Sequence, residues 1–205
     1  MRVLYVSQYF PPETAAPAVR ISQLAKHWKR MGCDVRVLTG FPHHPHGKVP
    51  SEYRRRLRRG FFEEDWHGVP VYRTWLYPAA NRGLVKRSLS YASFLLSARY
   101  RGRRLDFEPD VVIGSSPQLL AASAAASIAE RFSARFVFEV RDLWPESLAA
   151  VGLCGSGSPL YRTLDGVARR LYEKAWRIVT TTEASREILI GRGHRPELEP
   201  GYRQA

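Results

Sequence analysis

The run Phe138-Glu139-Val140-Arg141-Asp142-Leu143-Trp144-Pro145-Glu146-Ser147 concentrates the groups most able to do chemistry. Three carboxylates and a guanidinium following an apolar stretch are costly to bury unless they pair or serve a ligand. Asp142 is the first acidic side chain to leave that stretch, so it is the expected catalytic contact to a substrate hydroxyl. Trp144 offers a flat apolar face of the kind sugars and lipids pack on, and Pro145 stiffens the turn. Arg141 and Glu146 flank them as candidate binding residues. A second reading stays open: Glu139, Arg141 and Glu146 form a structural ion cluster that only shapes the loop.

The first loop, Gln8-Tyr9-Phe10-Pro11-Pro12-Glu13-Thr14-Ala15-Ala16-Pro17, contains no glycine and so cannot be the GxGxxG turn of a dinucleotide site. No cofactor is expected. Small Ala15 and Ala16 before a helix would let a substrate approach its N-terminal amides, although a plain strand-to-helix connection fits as well. His43, His44 and His46 have no acidic or cysteine neighbour at metal-ligand spacing. They are expected to be solvated loop histidines lining a groove, and no metal is expected.

Arg54, Arg55, Arg56, Arg58 and Arg59 form a basic run, and Arg82, Lys86 and Arg87, then Arg99, Arg101, Arg103 and Arg104, form further clusters. With Phe61, Phe62, Trp66, Trp75 and Tyr77 nearby, they suggest a face that meets phosphates or an anionic membrane surface. An ordinary solvated basic surface is the alternative. The whole chain of 205 residues carries a formal charge of +13, which attracts anionic partners without dictating fold. Nucleic acid is not expected as a partner, because no helix-turn-helix, zinc-finger or RNP-type pattern accompanies the charge.

Cys33 and Cys154 are far apart and outside any CxxC pattern, and the opening residues run into a short strand rather than a signal-peptide core. A reducing cytosol is the expected compartment. The longest weakly polar run, residues 119–129, falls short of the ~20 residues of a spanning helix. Any membrane contact is therefore expected from the surface.

Several elements must position these groups. Val3-Leu4-Tyr5-Val6 reads as a strand covered on both faces. Ile21, Leu24, Ala25, Trp28 and Met31 recur at helical spacing, and Val35, Val37 and Leu38 give a second strand before a proline-rich loop over 41–50. Residues 69–75 read as a third strand, and Val85, Leu89, Ala92, Leu96 and Tyr100 mark a helix. A fourth strand spans 110–115. Ser116 and Pro117 then read as cap and first position of a helix, whose alanines over 121–129 allow close packing. Strands at 136–140 and 177–182, a helix over 160–176 and a short helix from 183 complete the pattern. Strict alternation of this kind predicts an α/β fold with a doubly wound parallel sheet, and ligands outside its carboxyl ends, where Ser115 and Ser116 lie. The domain is expected to span 1–194, and 195–205 to be a tail or the start of a linker.

Four stretches together resemble the N-terminal, acceptor-side domain of glycosyltransferase family 4, in the subgroup that builds lipopolysaccharide, capsule and exopolysaccharide. They are RVLYVSQYFPPETAAPAVRISQLAKHW, VLTGFPHHPHGKVPSEY, VVIGSSPQLLAA and FVFEVRDLWPES. The resemblance implies the N-terminal half of a GT-B fold and metal-independent sugar transfer with retained anomeric configuration. Its partners would be a nucleotide-sugar donor, which is a co-substrate rather than a cofactor, and a lipid-linked or glycan acceptor. It also implies that the first loop, with Tyr9, Ala16, Pro17 and Arg20, contacts donor phosphate and acceptor, although many relatives place glycine where Ala15 and Ala16 stand. Relatives continue into a donor-binding C-terminal domain, which this sequence is expected to lack. The 205 residues alone are therefore expected to transfer little, with a separate C-terminal half as a candidate partner and the inner face of the plasma membrane as the expected location. A non-catalytic basic module that recruits a separate donor-binding subunit is the competing reading.

Overall fold

The computed structural model describes residues 1–198 apart from 81, 82, 153 and 156, so Arg82 and residues 199–205 of the tail lie outside the described residues. The sheet has eight strands in the order β3-β4-β2-β1-β5-β6-β7-β8. β1 (Arg2–Val6), β2 (Asp34–Gly40), β4 (Val69–Thr74), β5 (Val111–Ser115), β6 (Arg135–Val140), β7 (Arg177–Thr180) and β8 (Glu197–Leu198) run parallel. β3 (Phe61–Trp66) pairs antiparallel with β4 at the edge.

β3 corrects the expectation of a purely parallel sheet. Its connection to β4 is only His67 and Gly68, both at positive φ (51° and 81°). That is the backbone of a tight hairpin turn whose twist suits two antiparallel strands. Within the stretch expected to be a tail or the start of a linker, Glu197 and Leu198 add to β7, with Arg177 paired to Glu197. Of the basic run, Arg54, Arg55 and Arg56 lie in α2 (Ser51–Leu57), anchored by buried Tyr53, and Arg58 and Arg59 follow its end.

Each half of the β1 alternation feeds a different core. Val3 and Tyr5 pack with Val35, Val37, Val69 and Val71 under α1 (Ala16–Arg30), through Ile21 and Ala25. Leu4 and Val6 face the larger cluster beneath α3 (Leu84–Gly102), α4 (Leu119–Arg131) and α6 (Pro159–Lys174). A sheet covered on both faces explains why its strands are apolar at consecutive positions. The alanines of α4 do permit close approach: a Cβ at Gly114 of β5 would lie 2.8 Å from Ala122 Cα and 2.8 Å from Ala125 Cβ. α5 (Glu146–Ala150) and α7 (Glu183–Gly191) complete the described helices.

From β1 the chain builds outward through β2 and β4, then crosses by α3 to place β5 on the other side of β1. The carboxyl ends of β1 and β5 therefore mark the switch point, where the two loops diverge and leave a crevice.

Candidate functional site

A cleft of about 200 Å³ opens at this switch point. The loop after β1 and the start of α1 contribute Tyr9, Ala15 and Pro17, and the end of β5 with the loop after it contributes Ser115, Ser116, Pro117 and Gln118. Arg141 and Trp144 come from the loop after β6, His44 from the loop after β2, and Arg87 and Tyr91 from α3. Of the residues expected from sequence, Tyr9, Pro17, Ser115, Ser116, Arg141 and Trp144 meet here. His44, Arg87, Tyr91, Pro117 and Gln118 complete the walls.

Ser116 is the keystone of the far wall. Its Oγ accepts from the amides of Arg141 (2.9 Å) and Asp142 (3.0 Å) and donates to the Asp142 carbonyl (2.8 Å). The expected helix cap is thereby corrected. α4 begins at Leu119 with Gln118 at its cap position, because the Ser116 hydroxyl is committed to the neighbouring loop. Asp142 is consequently held by its backbone at the end of β6, with its side chain exposed at the cleft's margin and not among the lining groups.

The ion cluster foreseen among Glu139, Arg141 and Glu146 does not form. Glu139 instead accepts from Tyr5 Oη (2.5 Å) and pairs with Arg20 (2.6 Å), tying α1 to β6. Burial and the adjacent Glu139 carboxylate push the Tyr5 phenol well above its usual range. Glu146 pairs with Arg192 at 2.6 Å. Arg20 and Glu146 thus serve structural pairs beside the cleft, and Ala16 is exposed at the first turn of α1, between lining residues Ala15 and Pro17.

The near wall rests on a buried carboxylate. Glu13 accepts from the amides of His43 (2.8 Å), His44 (2.8 Å) and Phe10 (3.3 Å), stitching the first loop to the loop after β2. Burial pushes its carboxyl up to about 7, while those amides and Arg73 pull the other way. His43 is buried rather than solvated, correcting the sequence reading, and burial lowers its imidazole. His44 does line the cleft, its ring 5.2 Å from Tyr9. Burial and the neighbouring Tyr91 raise the Tyr9 phenol, so it stays protonated as a hydrogen-bonding hydroxyl.

Arg87, one of the basic cluster expected to meet phosphates or an anionic membrane, lines the cleft. Its Nη2 donates to Tyr91 Oη at 3.3 Å, and its buried Nε has no hydrogen-bond partner. Among the described residues, neither Arg87 nor Arg141 meets a carboxylate, and no acidic side chain lines the cleft. Two guanidiniums in a crevice with aromatic walls suit an anionic group attached to a body that stacks on rings. Among the described residues there is also no cluster of three or more histidine, cysteine or carboxylate ligands for a metal ion.

Comparison with known proteins assigns the family. The model described as "Glycosyl transferase 4-like domain" matches residues 15–198. The chain belongs to this glycosyl transferase 4-like family. A protein of Escherichia coli (strain K12) named for glycosyl transfer in colanic acid biosynthesis, WcaI, is 28% identical over 161 residues, covering 77% of this chain and 38% of that protein. The chain therefore spans well under half the length of that relative. Among solved structures, the catalytic domain of starch synthase IV from Arabidopsis thaliana, bound to ADP and acarbose, superposes with a TM-score of 0.50 at 13% identity. The match covers 69% of this chain and 34% of that one, and it shows the fold alone: a Rossmann-like half of a GT-B architecture.

Proposed function

We propose that the chain is the acceptor-side half of a retaining glycosyltransferase that moves a sugar from a nucleotide-sugar donor onto a lipid-linked or glycan acceptor in polysaccharide assembly. The observation that carries this reading is the switch-point cleft, with Arg87 and Arg141 free of carboxylates and Tyr9, Tyr91 and Trp144 around them. A phosphate-bearing acceptor, such as a polyprenyl-diphosphate-linked sugar, satisfies both features: guanidiniums take the phosphate, and rings take the sugar. Asp142, just outside the cleft, is the carboxylate proposed to contact the acceptor hydroxyl. The family membership, and the name of the colanic acid relative, support the polysaccharide setting.

In this reading the donor is held mainly by a separate domain, and the 205 residues supply one wall of the reaction space. Little turnover by these residues alone is expected, because a departing nucleoside diphosphate needs charge stabilisation from the facing wall. The work is proposed to take place on the inner face of the plasma membrane. No helix among the described residues is long and apolar enough to cross a membrane, so contact would be peripheral.

Titration with a polyprenyl-diphosphate-linked sugar, followed by tryptophan fluorescence, tests the acceptor assignment. A signal lost in Trp144→Phe and an affinity weakened about tenfold to a hundredfold in Arg141→Gln are the expected results, as for a charge-assisted phosphate contact. Equal affinity for the sugar without its diphosphate would sink the phosphate-bearing acceptor.

A further inference from the structure

α3 has two apolar faces where one is needed. Phe94 and Ala98 are buried, and Gly102 packs against Ile128 and Leu38, so this side faces the core. The residues that announced the helix in the sequence lie on the opposite side. At 100° per residue, Val85, Leu89, Ala92, Leu96 and Tyr100 fall within one narrow stripe. Val85 is 72%, Leu89 52%, Leu96 67% and Tyr100 55% exposed. Serines of α3 bind the segment beside it: the Tyr77 amide donates to Ser93 Oγ, and Ser97 Oγ donates to the Trp75 carbonyl. Exposed Trp75 and Tyr77 are thus held at the stripe's border.

The charge carried by α3 itself has one sign. α3 contains no acidic residue, and where it ends against α4 a cavity of about 500 Å³ is lined by Leu96, Tyr100, Arg99, Arg103, Arg104 and Arg131. A protein interface usually depletes charge at its centre and matches what remains. A second copy of this chain would bring the same arginines against themselves. An anionic bilayer takes both features together, with alkyl and aromatic groups at the headgroup boundary and guanidiniums on phosphates.

We infer that the outward face of α3, from Val85 to Arg104 with Trp75 and Tyr77, is the surface on which this domain lies on an anionic phospholipid bilayer. It deepens the peripheral-membrane part of the proposed function and relocates the contact from the α2 arginines to α3. Arg87 on the inner side of the same helix lines the cleft. A bilayer under α3 would therefore lie one helix away from the site proposed for a lipid-linked phosphate.

Co-sedimentation of the 205-residue chain with phosphatidylcholine vesicles, with and without phosphatidylglycerol, tests this at low salt and needs neither donor nor acceptor. The chain is expected to bind only the vesicles containing phosphatidylglycerol. R99Q/R103Q/R104Q should weaken binding on the order of a hundredfold, from the contribution of each cation near such a surface, and L89S/L96S at least tenfold. R54Q/R55Q/R58Q/R59Q should bind like the parent. All the substituted side chains are exposed, so melting curves should stay close to the parent's. Parent-like binding by the α3 variants, or loss in the α2 variant alone, overturns the assignment while leaving a membrane role intact. A self-associating parent that L89S/L96S turns into a monomer, with vesicle binding unchanged, gives the face to a second copy instead. A parent that ignores anionic vesicles removes both the α3 inference and the membrane part of the function, while acceptor binding in the cleft is judged separately by fluorescence.

Discussion

At the scale of single residues, one hydroxyl fixes the geometry of the far wall. Ser116 Oγ serves two amides and a carbonyl in the segment that presents Arg141 and Asp142. Ser116→Ala leaves partly buried amides without a partner, at an expected cost of about 1–2 kcal/mol. Urea denaturation reads this directly, and an unchanged midpoint would show that water replaces the hydroxyl without loss. The sequence predicts Ser116 both at the ligand-binding end of the sheet, where it does line the cleft, and as a helix cap, which it is not. The Ser-Pro pattern of a helix start does operate at Ser158 and Pro159, where Ser158 Oγ accepts from the Tyr161 amide. The two dipeptides are locally alike, and only the presence of the loop after β6 beside Ser116 separates them.

At the scale of elements, the contact between β5 and α4 depends on what is missing from Gly114. A methyl there would meet Ala122 and Ala125 at 2.8 Å, within the backbone-close part of the contact. Gly114→Ala should force α4 outward and destabilise the fold by about 1–3 kcal/mol, as overpacking does. Thermal unfolding checks it, and a parent-like melting temperature would mean that α4 shifts freely. The alanine run made close helix packing legible in the sequence, while its partner glycine was not, because strand and helix are brought together only by the fold. α3 shows the converse limit. Its apolar spacing identified a helix correctly, yet periodicity cannot say which of two apolar faces meets the core. For the same reason the sequence does not separate Arg87, which lines the cleft, from the other arginines of the basic clusters, and it does not single out Tyr91, one turn further on.

At the scale of the whole molecule, Glu13 links proton binding to stability. Its carboxyl titrates near 7 in the folded protein, against about 4.5 when solvated. Between those values the folded chain holds a proton that the unfolded chain releases, so stability is present below about 4.5 and declines as pH rises through 7. The full span corresponds to a loss on the order of 3 kcal/mol. His43, lowered by burial, acts in the opposite sense and loses stability as pH falls below its ordinary value. Melting temperatures of the parent and Glu13→Gln from pH 5 to 8 separate the two: the parent should fall relative to the variant as pH rises. A constant difference between the curves would show that Glu13 is ionised throughout.

By itself the sequence determined the α/β class, the order of the parallel strands along the chain, and the loops in which function had to be sought. Consecutive apolar residues, helical spacing and turn residues are local signals, and they act over a few positions. It did not reveal the β3 hairpin, whose His67-Gly68 turn lacks the common turn pair, nor the β8 pairing, which two residues cannot announce. Tertiary structure alone decided that Glu139 holds Arg20 and Tyr5, that Glu13 carries the His43 and His44 amides, and that Arg87 and Arg141 line one cleft. Those partners are separated by long stretches of chain, and hydrogen bonds and ion pairs depend on a few ångströms that no local pattern encodes.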